Sequence, residues 1–137
     1  GYIESETIKI SENIFLSQKD IRQYQLAKSA VCSAIIILMK LANVSFDDIE
    51  SLYISGGFAD SINIENAVST GLLPEKLKEK TIALNNTSLG GTIKFSLNPE
   101  NPLNQFKNTE YVDLSLNPDF SELFIKNTEF LSGDDYD

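Results

Sequence analysis

The sequence LYISGGFAD at residues 52–60 decides how the rest of the chain is interpreted. Its first three apolar residues predict a short buried strand, which the glycine pair Gly56-Gly57 ends. Because glycine lacks a Cβ, the backbone at such a pair can approach a flat or phosphorylated ligand closely. Ligands of open α/β sheets bind beyond the carboxyl ends of the strands. The segment is therefore a candidate ligand loop, and a plain turn is the alternative interpretation.

The residues after this loop predict another helix, another strand and a further helix. Asn63 is the predicted N-cap of a helix over residues 64–70, and Gly71 is a suitable residue to close it. Residues 81–84 predict the next strand, and residues 85–97 predict a helix that begins with polar capping residues.

The residues before the loop predict a hairpin and a long helix. Residues 7–10 and 13–16 are short β-type runs, and SQKD at residues 17–20 resembles a capping box. Apolar residues recur at spacings of three and four up to about Ala42, so the helix should extend that far. The predicted inward-facing residues are Ile21, Tyr24, Ala27 or Lys28, Val31, Ala34 or Ile35, Leu38 and Leu41.

The C-terminal part predicts a looser arrangement. Residues 98–108 are rich in Asn and Pro and predict an irregular segment, whereas residues 111–116 alternate like a half-buried strand. Residues 118–130 predict a final helix, and residues 133–137 predict a frayed tail. The alternation of strands and helices is typical of the α/β class, and 137 residues fit one domain.

Composition excludes several classes of function. Eleven Lys and Arg residues against twenty Asp and Glu residues give a net charge of −9, which argues against nucleic-acid and anionic-membrane binding. The chain has no histidine, so it holds no Ser-His-Asp triad and no histidine-ligated zinc. Cys32 is the only cysteine, which excludes an internal disulfide and a self-contained iron–sulfur site, and we interpret it as a core residue.

The acids predict no metal site, and the sequence leaves the catalytic residues unknown. Asp47 and Asp48 follow a predicted cap at Ser45, where acids ordinarily stabilise the first turn of a helix, so we interpret them as structural. The cysteine-poor chain shows no signal peptide, and its strongest apolar run (residues 34–39) is shorter than a membrane span. These features indicate the cytoplasm, and a first residue Gly1 in place of Met predicts a fragment of a longer protein.

Two long motifs resemble those of one protein family. SQKDIR at residues 17–22 with QLAK at residues 25–28 resembles its segment TQKDIRELQLAK. SGGF at residues 55–58, INIENA at residues 62–67 and GLLP at residues 71–74 resemble its segment GGFG…INIENA…GLLP. The family is that of the ATP-dependent reductive activators of corrinoid proteins, which are ferredoxin-like proteins with an actin-like ATPase region.

The resemblance covers about residues 13–97, and more loosely residues 111–130. It implies a ribonuclease-H-like lobe of the acetate and sugar kinase, heat-shock ATPase and actin superfamily, with a mixed sheet flanked by helices. Residues 1–137 would then be a single C-terminal domain of a multidomain protein that uses ATP with magnesium to drive an electron onto inactive cob(II)alamin. The resemblance implies a [2Fe–2S] cluster in an upstream domain and a corrinoid protein of a methyltransferase system as partner, and it leaves a homodimer open.

Carried over by position, the glycine loop belongs to the adenosine-binding wall of the nucleotide site. Gly56 and Gly57 would line the nucleotide, with Ser55 and Phe58 as neighbours. Asp60 follows the loop and could reach a ribose, and a solvated loop acid is the alternative. Slow ATPase activity coupled to electron transfer is expected of the full-length protein. No such activity is expected of this chain alone.

Some residues depart from the family pattern and leave ATP hydrolysis open, namely Ala59, Asn85 and Thr92. One alternative function is a lobe of another actin-like ATPase or small-molecule kinase. The other is a non-catalytic docking module whose nucleotide site has decayed. Residues 110–137 carry eight acids and one base, which predicts either an acidic face for a protein partner or a solubilising tail.

Overall fold

A computed structural model of the chain describes residues 7–57, 59–98 and 109–130. Within these ranges strands and helices alternate, as expected of the α/β class. The strands are β1 (Thr7–Ser11), β2 (Ile14–Ser17), β3 (Leu52–Ile54) and β4 (Thr81–Ala83). The α-helices are α1 (Gln18–Leu41), α2 (Ile64–Ser69), α3 (Thr87–Leu97) and α4 (Pro118–Lys126), and 3₁₀ helices lie at Glu75–Lys80 and Leu114–Leu116.

The N-terminal hairpin and the start of α1 form as predicted. β1 and β2 pair antiparallel, with Thr7 opposite Ser17. The Asp20 carboxylate accepts hydrogen bonds from the Ser17 backbone N (2.8 Å) and Oγ (2.6 Å), while Ser17 Oγ accepts one from the Asp20 backbone N (3.2 Å). Because these bonds satisfy donors that a helix start leaves unpaired, the predicted capping box is confirmed.

α1 buries a face different from the predicted one. The pattern predicts that Val31, Leu38 and Leu41 face inward, yet all three are exposed in the described structure. Ile35 is on the predicted side and packs against the apolar core. Half of the residues that α1 does bury are polar, and the full set is Lys28, Ser29, Cys32, Ser33, Ile37 and Met39. Cys32 is a free, buried thiol, as expected.

Helix α4 is the reason for this polar buried face. The Lys28 side chain is only 1% exposed, and its Nζ donates to the carbonyl oxygens of Asn127 (2.7 Å) and Glu129 (2.5 Å). It also lies 5.1 Å from the ring centroid of Phe130. Asn127 is the C-cap of α4, where carbonyls lack intrahelical donors and carry partial negative charge, so this ammonium group stabilises the end of α4. Its bond to Glu129 holds the residues just after the helix.

Two serines of α1 complete the contact with α4. Ser29 Oγ donates to the carbonyl oxygen of Phe124. Ser33 Oγ accepts a hydrogen bond from Asn127 Nδ2 at 2.9 Å. Both serines are fully buried, so these bonds satisfy hydroxyl groups that would otherwise be costly to remove from water.

The apolar core lies where α1, β3 and α2 meet. Asn63 Oδ1 accepts from the Asn66 backbone N (2.9 Å), and Gly71 has φ 76°, so the predicted cap and end of α2 are confirmed. The turn at Gly71 brings the following leucines back onto the helix. The buried cluster consists of Ala67, Val68, Leu72 and Leu73, and Ile35, Leu52, Ile54, Ile62 and Ile64 pack against it.

The four strands form two separate two-stranded sheets among the described residues. β1 pairs with β2, whereas β3 runs parallel to β4 with Leu52 opposite Thr81 and Ile54 opposite Ala83. The sequence predicts a fully buried β3, but Tyr53 is exposed, so this strand is half-buried. The chain is therefore α/β, and within residues 7–57, 59–98 and 109–130 its strands do not join into one mixed sheet.

The prediction of a strand over residues 111–116 is wrong. Asp113 Oδ1 accepts from the Ser115 backbone N (3.0 Å) and Oγ (2.6 Å), and the chain forms a short 3₁₀ helix there. A local side-chain bond of this kind offers the backbone an alternative to a sheet ladder. Val112 and Leu114 are half-buried, whereas Tyr111 and Leu116 are 87% and 80% exposed.

The remaining helix predictions are largely confirmed. α3 begins after Asn86, whose Oδ1 accepts from the Leu89 backbone N at 3.1 Å. α4 begins at Pro118 as expected but ends at Lys126, four residues before the predicted end. The predicted tail (residues 133–137) and most of the predicted irregular segment lie outside the described residues.

Asp47 and Asp48 lie in a turn instead of the predicted helical turn. The Asp48 carboxylate accepts from the Ser45 backbone N (2.8 Å) and Oγ (2.6 Å), and these bonds hold the pKa of Asp48 below its usual value. The Asp47 backbone carbonyl oxygen accepts a hydrogen bond from Lys80 Nζ at 3.4 Å. The two acids therefore have different, structural roles.

α1 is long and apolar enough to cross a membrane by length and composition alone. An 18-residue window of it has a mean hydropathy of 1.4, and 28% of that window is buried within the described structure. Core helices of soluble proteins pass the same test, and α1 packs on α4 and on the core cluster.

Candidate functional site

The candidate site lies at the edge of the sheet where β3 and β4 both end. Because the two strands are parallel, the loop after Ile54 and the loop after Ala83 leave the sheet side by side. The Leu84 backbone N donates to the Ile54 carbonyl oxygen at 2.7 Å, which continues the pairing one residue past β4. Ligands of α/β proteins bind at such carboxyl ends.

Ser55 ties these two loops together. Its Oγ shares a short hydrogen bond with Thr87 Oγ1, accepts from the Thr87 backbone N (3.4 Å) and donates to the Asn85 carbonyl oxygen (3.4 Å). Thr87 is the first residue of α3, so the serine fixes the start of that helix relative to the glycine loop. The sequence pattern predicts Ser55 as a site residue but not Thr87. The two residues are 32 positions apart, and only the parallel pairing of the strands brings them into contact.

The glycine pair lies in the first loop, where Gly57 is exposed and Gly56 is half-buried. Gly56 has φ +101°, a backbone conformation that other residues rarely adopt, and its carbonyl oxygen accepts from the Ala59 backbone N at 3.0 Å. Gly57 has no such constraint. A Cβ added at either position would meet nothing within 4 Å, so this backbone is open to a flat ligand. The positive φ of the turn therefore explains why residue 56 is a glycine, but it does not explain the glycine at position 57.

A second glycine pair lies one turn into α3. Gly90 and Gly91 also have open space where a Cβ would stand, and α3 has no buried residue. Glycine inside a helix is less favourable than alanine by about 1 kcal/mol, so two together are unexpected without a close neighbour. The described residues supply no such neighbour.

The remaining predicted site residues are less informative. Asp60 is exposed in the turn after Ala59, which is buried. Phe58 lies outside the described residues. Among residues 7–57, 59–98 and 109–130, no group of three or more His, Cys, Asp or Glu side chains could hold a metal ion. The site as described offers glycine backbone and the hydroxyl groups of Ser55 and Thr87.

Comparison with known proteins identifies the fold family. Residues 2–136 match the family model of the C-terminal domain of RACo, the ASKHA domain. The chain therefore belongs to this family of actin-like ATPase domains.

A curated relative points in the same direction. The corrinoid activation enzyme RamQ of Eubacterium limosum is 29% identical to the chain over 124 residues. The aligned part covers 87% of this chain and 21% of RamQ, so the chain spans about a fifth of the length of that relative.

Proposed function

We propose that this chain is the C-terminal part of an ATP-dependent reductive activator of corrinoid proteins, and that it forms the adenosine-side wall of the ATP site. The membership of the ASKHA family supports ATP binding, and the similarity to RamQ supports corrinoid activation. The single observation that carries the assignment of the wall is the open glycine loop beside the start of α3 at the carboxyl ends of β3 and β4.

The described residues fit an adenosine group better than a triphosphate. Gly57 leaves room for a flat ring to approach the backbone, and the linked Ser55 and Thr87 hold the second loop at a fixed distance. Asp60 would be placed to accept a hydrogen bond from a ribose hydroxyl. In contrast, a net charge of −9 repels a polyanion at long range, so phosphate binding requires cationic or metal groups from elsewhere.

In this proposal the rest of a multidomain protein supplies the other parts. It would provide the phosphate contacts, the magnesium site and a [2Fe–2S] domain, and it would complete the mixed sheet of a ribonuclease-H-like lobe around this single C-terminal domain. The bound ATP would supply the free energy for transferring an electron to the corrinoid. The whole protein would be a slow cytoplasmic ATPase, and its partner would be the corrinoid protein of a methyltransferase system.

Replacing Gly57 tests the adenosine wall directly. Because Gly57 lacks a positive φ and its Cβ would meet nothing, Gly57→Val should leave the apo fold intact while its side chain occupies the space of the ligand. We expect ATP affinity in the full-length protein, measured by calorimetric titration, to fall by well over tenfold (more than about 1.4 kcal/mol).

The matched control is Ser61→Val, which introduces the same side chain at an exposed position of the same loop. It should leave ATP affinity unchanged, and the melting temperatures of both apo variants should stay near that of the wild type. Equal ATP affinities for wild type and Gly57→Val would mean that the glycine pair is only a turn.

A further inference from the structure

Thr87 holds the residue that directly precedes the glycine pair. The single hydroxyl proton of Ser55 is donated to the Asn85 carbonyl oxygen at 3.4 Å, so the proton shared between the two hydroxyl groups comes from Thr87. The Thr87 backbone N also donates to Ser55 Oγ, at 3.4 Å. Thr87 therefore directs two donors at one oxygen atom, and that atom belongs to the residue before Gly56.

Few other contacts fix the start of α3 beside the glycine loop. Every residue of α3 is exposed, and among the described residues this helix makes no extensive contact with another helix or strand. The cap bond from the Leu89 backbone N to Asn86 Oδ1 lies within the start of the helix and does not reach the loop. Together with the pairing of β3 and β4, the bonds between Thr87 and Ser55 therefore place the start of α3 relative to the loop.

The glycine loop is the segment that gains most from such a constraint. A glycine backbone has more accessible conformations than that of any other residue, so ordering two glycines costs more entropy. A binding site that is ordered before the ligand arrives avoids this cost during binding. Ser55 can impose that order, because it is covalently bonded to Gly56 while its Oγ is held by Thr87.

We propose that Thr87 is a positioning residue of the nucleotide site. Its hydroxyl group holds Ser55, and Ser55 keeps the backbone of Gly56 and Gly57 in the conformation that receives the nucleoside. Thr87 acts through Ser55 and does not itself contact the ligand. This role rests on the proposed adenosine wall and extends it to the first turn of α3.

Removing the Thr87 hydroxyl group in the full-length protein tests this role. Thr87→Val keeps the branched shape and the backbone donor, so ATP affinity in a calorimetric titration should fall by about three- to tenfold, the effect of one lost hydrogen bond. Thr87→Ser keeps the hydroxyl group and should retain the affinity of the wild type. The matched control is Thr92→Val, because Thr92 is exposed in the same helix and its hydroxyl donates to the Ser88 carbonyl oxygen at 2.9 Å. This control should leave ATP affinity unchanged.

A double-mutant cycle separates positioning from direct contact with the ligand. If Thr87 acts through Ser55, then Ser55→Ala should weaken ATP binding at least as much as Thr87→Val does. The double variant should then bind ATP no more weakly than Ser55→Ala alone. Losses that add would show that Thr87 contacts the ligand directly, and they would overturn the positioning role.

Amide hydrogen exchange without ATP gives a second readout. The Ala59 backbone N donates to the Gly56 carbonyl oxygen at 3.0 Å and so closes the turn of the glycine loop. Thr87→Val should speed exchange of this amide by about threefold or more. Its melting temperature should change by less than about 2 °C, because Thr87 is exposed. Equal exchange rates in the wild type and Thr87→Val would overturn the proposal, as would equal ATP affinities of Thr87→Val and Thr87→Ser.

The failure of this role and the failure of the adenosine wall are distinguishable. A fall in ATP affinity for Gly57→Val with none for Thr87→Val would leave the wall in place and reject the role of Thr87. An unchanged ATP affinity for Gly57→Val would reject the wall and, with it, the role of Thr87.

Discussion

Replacing Lys28 by methionine should loosen the attachment of α4 to α1. The Lys28 ammonium donates to the carbonyl oxygens of Asn127 and Glu129 at 2.7 and 2.5 Å. Methionine preserves the apolar stem of the lysine but has no donor, so Lys28→Met leaves both carbonyls without this partner. The substitution therefore tests whether a buried charge, and not apolar contact alone, holds the end of α4.

The expected decrease in the free energy of unfolding is the difference between two opposing contributions. A hydrogen bond from a charged donor contributes about 1.5–3 kcal/mol, so losing two costs about 3–6 kcal/mol. Against this, methionine avoids the desolvation of a buried ammonium, a cost that is visible as a lowered pKa of Lys28 caused mainly by burial. We expect a net decrease of about 2–4 kcal/mol in the free energy of unfolding.

Urea-induced unfolding of the protein, followed by circular dichroism, measures this change. Lys76→Met is the matched control, because Lys76 also lies over an aromatic ring, 5.8 Å from the centroid of Phe46, but is exposed. The control should change the free energy of unfolding by less than about 0.5 kcal/mol. If Lys28→Met is no more destabilising than Lys76→Met, the buried ammonium does not hold α4 and the reasoning is refuted.

Two further predictions concern the turn acids and the nucleotide. Asp48→Ala should lower the melting temperature at neutral pH more than Asp47→Ala, because only the Asp48 carboxylate accepts two hydrogen bonds from Ser45. The pKa of Asp48 is lowered in the folded state, so its stabilising effect is present above about pH 4 and is lost as the pH falls through the lowered pKa. Melting temperatures of wild type and Asp48→Ala should therefore converge in strong acid, and a constant difference at all pH values would contradict this. The 137-residue chain by itself should bind ATP with a Kd in the millimolar range or weaker, about −4 kcal/mol, and should not hydrolyse it. Micromolar affinity in a calorimetric titration would show that the phosphate contacts lie within this chain.

Local features of the fold could be predicted from the sequence because their causes lie within a few residues. Ser17 and Asp20 pair across one helical turn, Asn63 caps the helix that begins at the next residue, and Gly71 adopts the positive φ that glycine tolerates best. Each of these local features depends only on the residue types and their spacing along the chain. The glycine loop was likewise predictable, since Gly56 adopts its positive φ within the turn itself.

The sequence by itself therefore determined the positions of the hairpin, of α1 to α3 and of the loop that carries the candidate site. Tertiary structure alone decided which face of α1 is buried, because helical spacing shows only that a face is apolar and not what packs against it. Lys28 is buried because the end of α4 supplies carbonyl partners a hundred residues away, whereas Leu38 is exposed because nothing in the described structure covers it. Thr87 became part of the candidate site in the same way, since only the parallel pairing of β3 with β4 brings it to Ser55. Contacts between distant residues depend on the arrangement of whole elements, and the physical properties of one segment do not specify its partner.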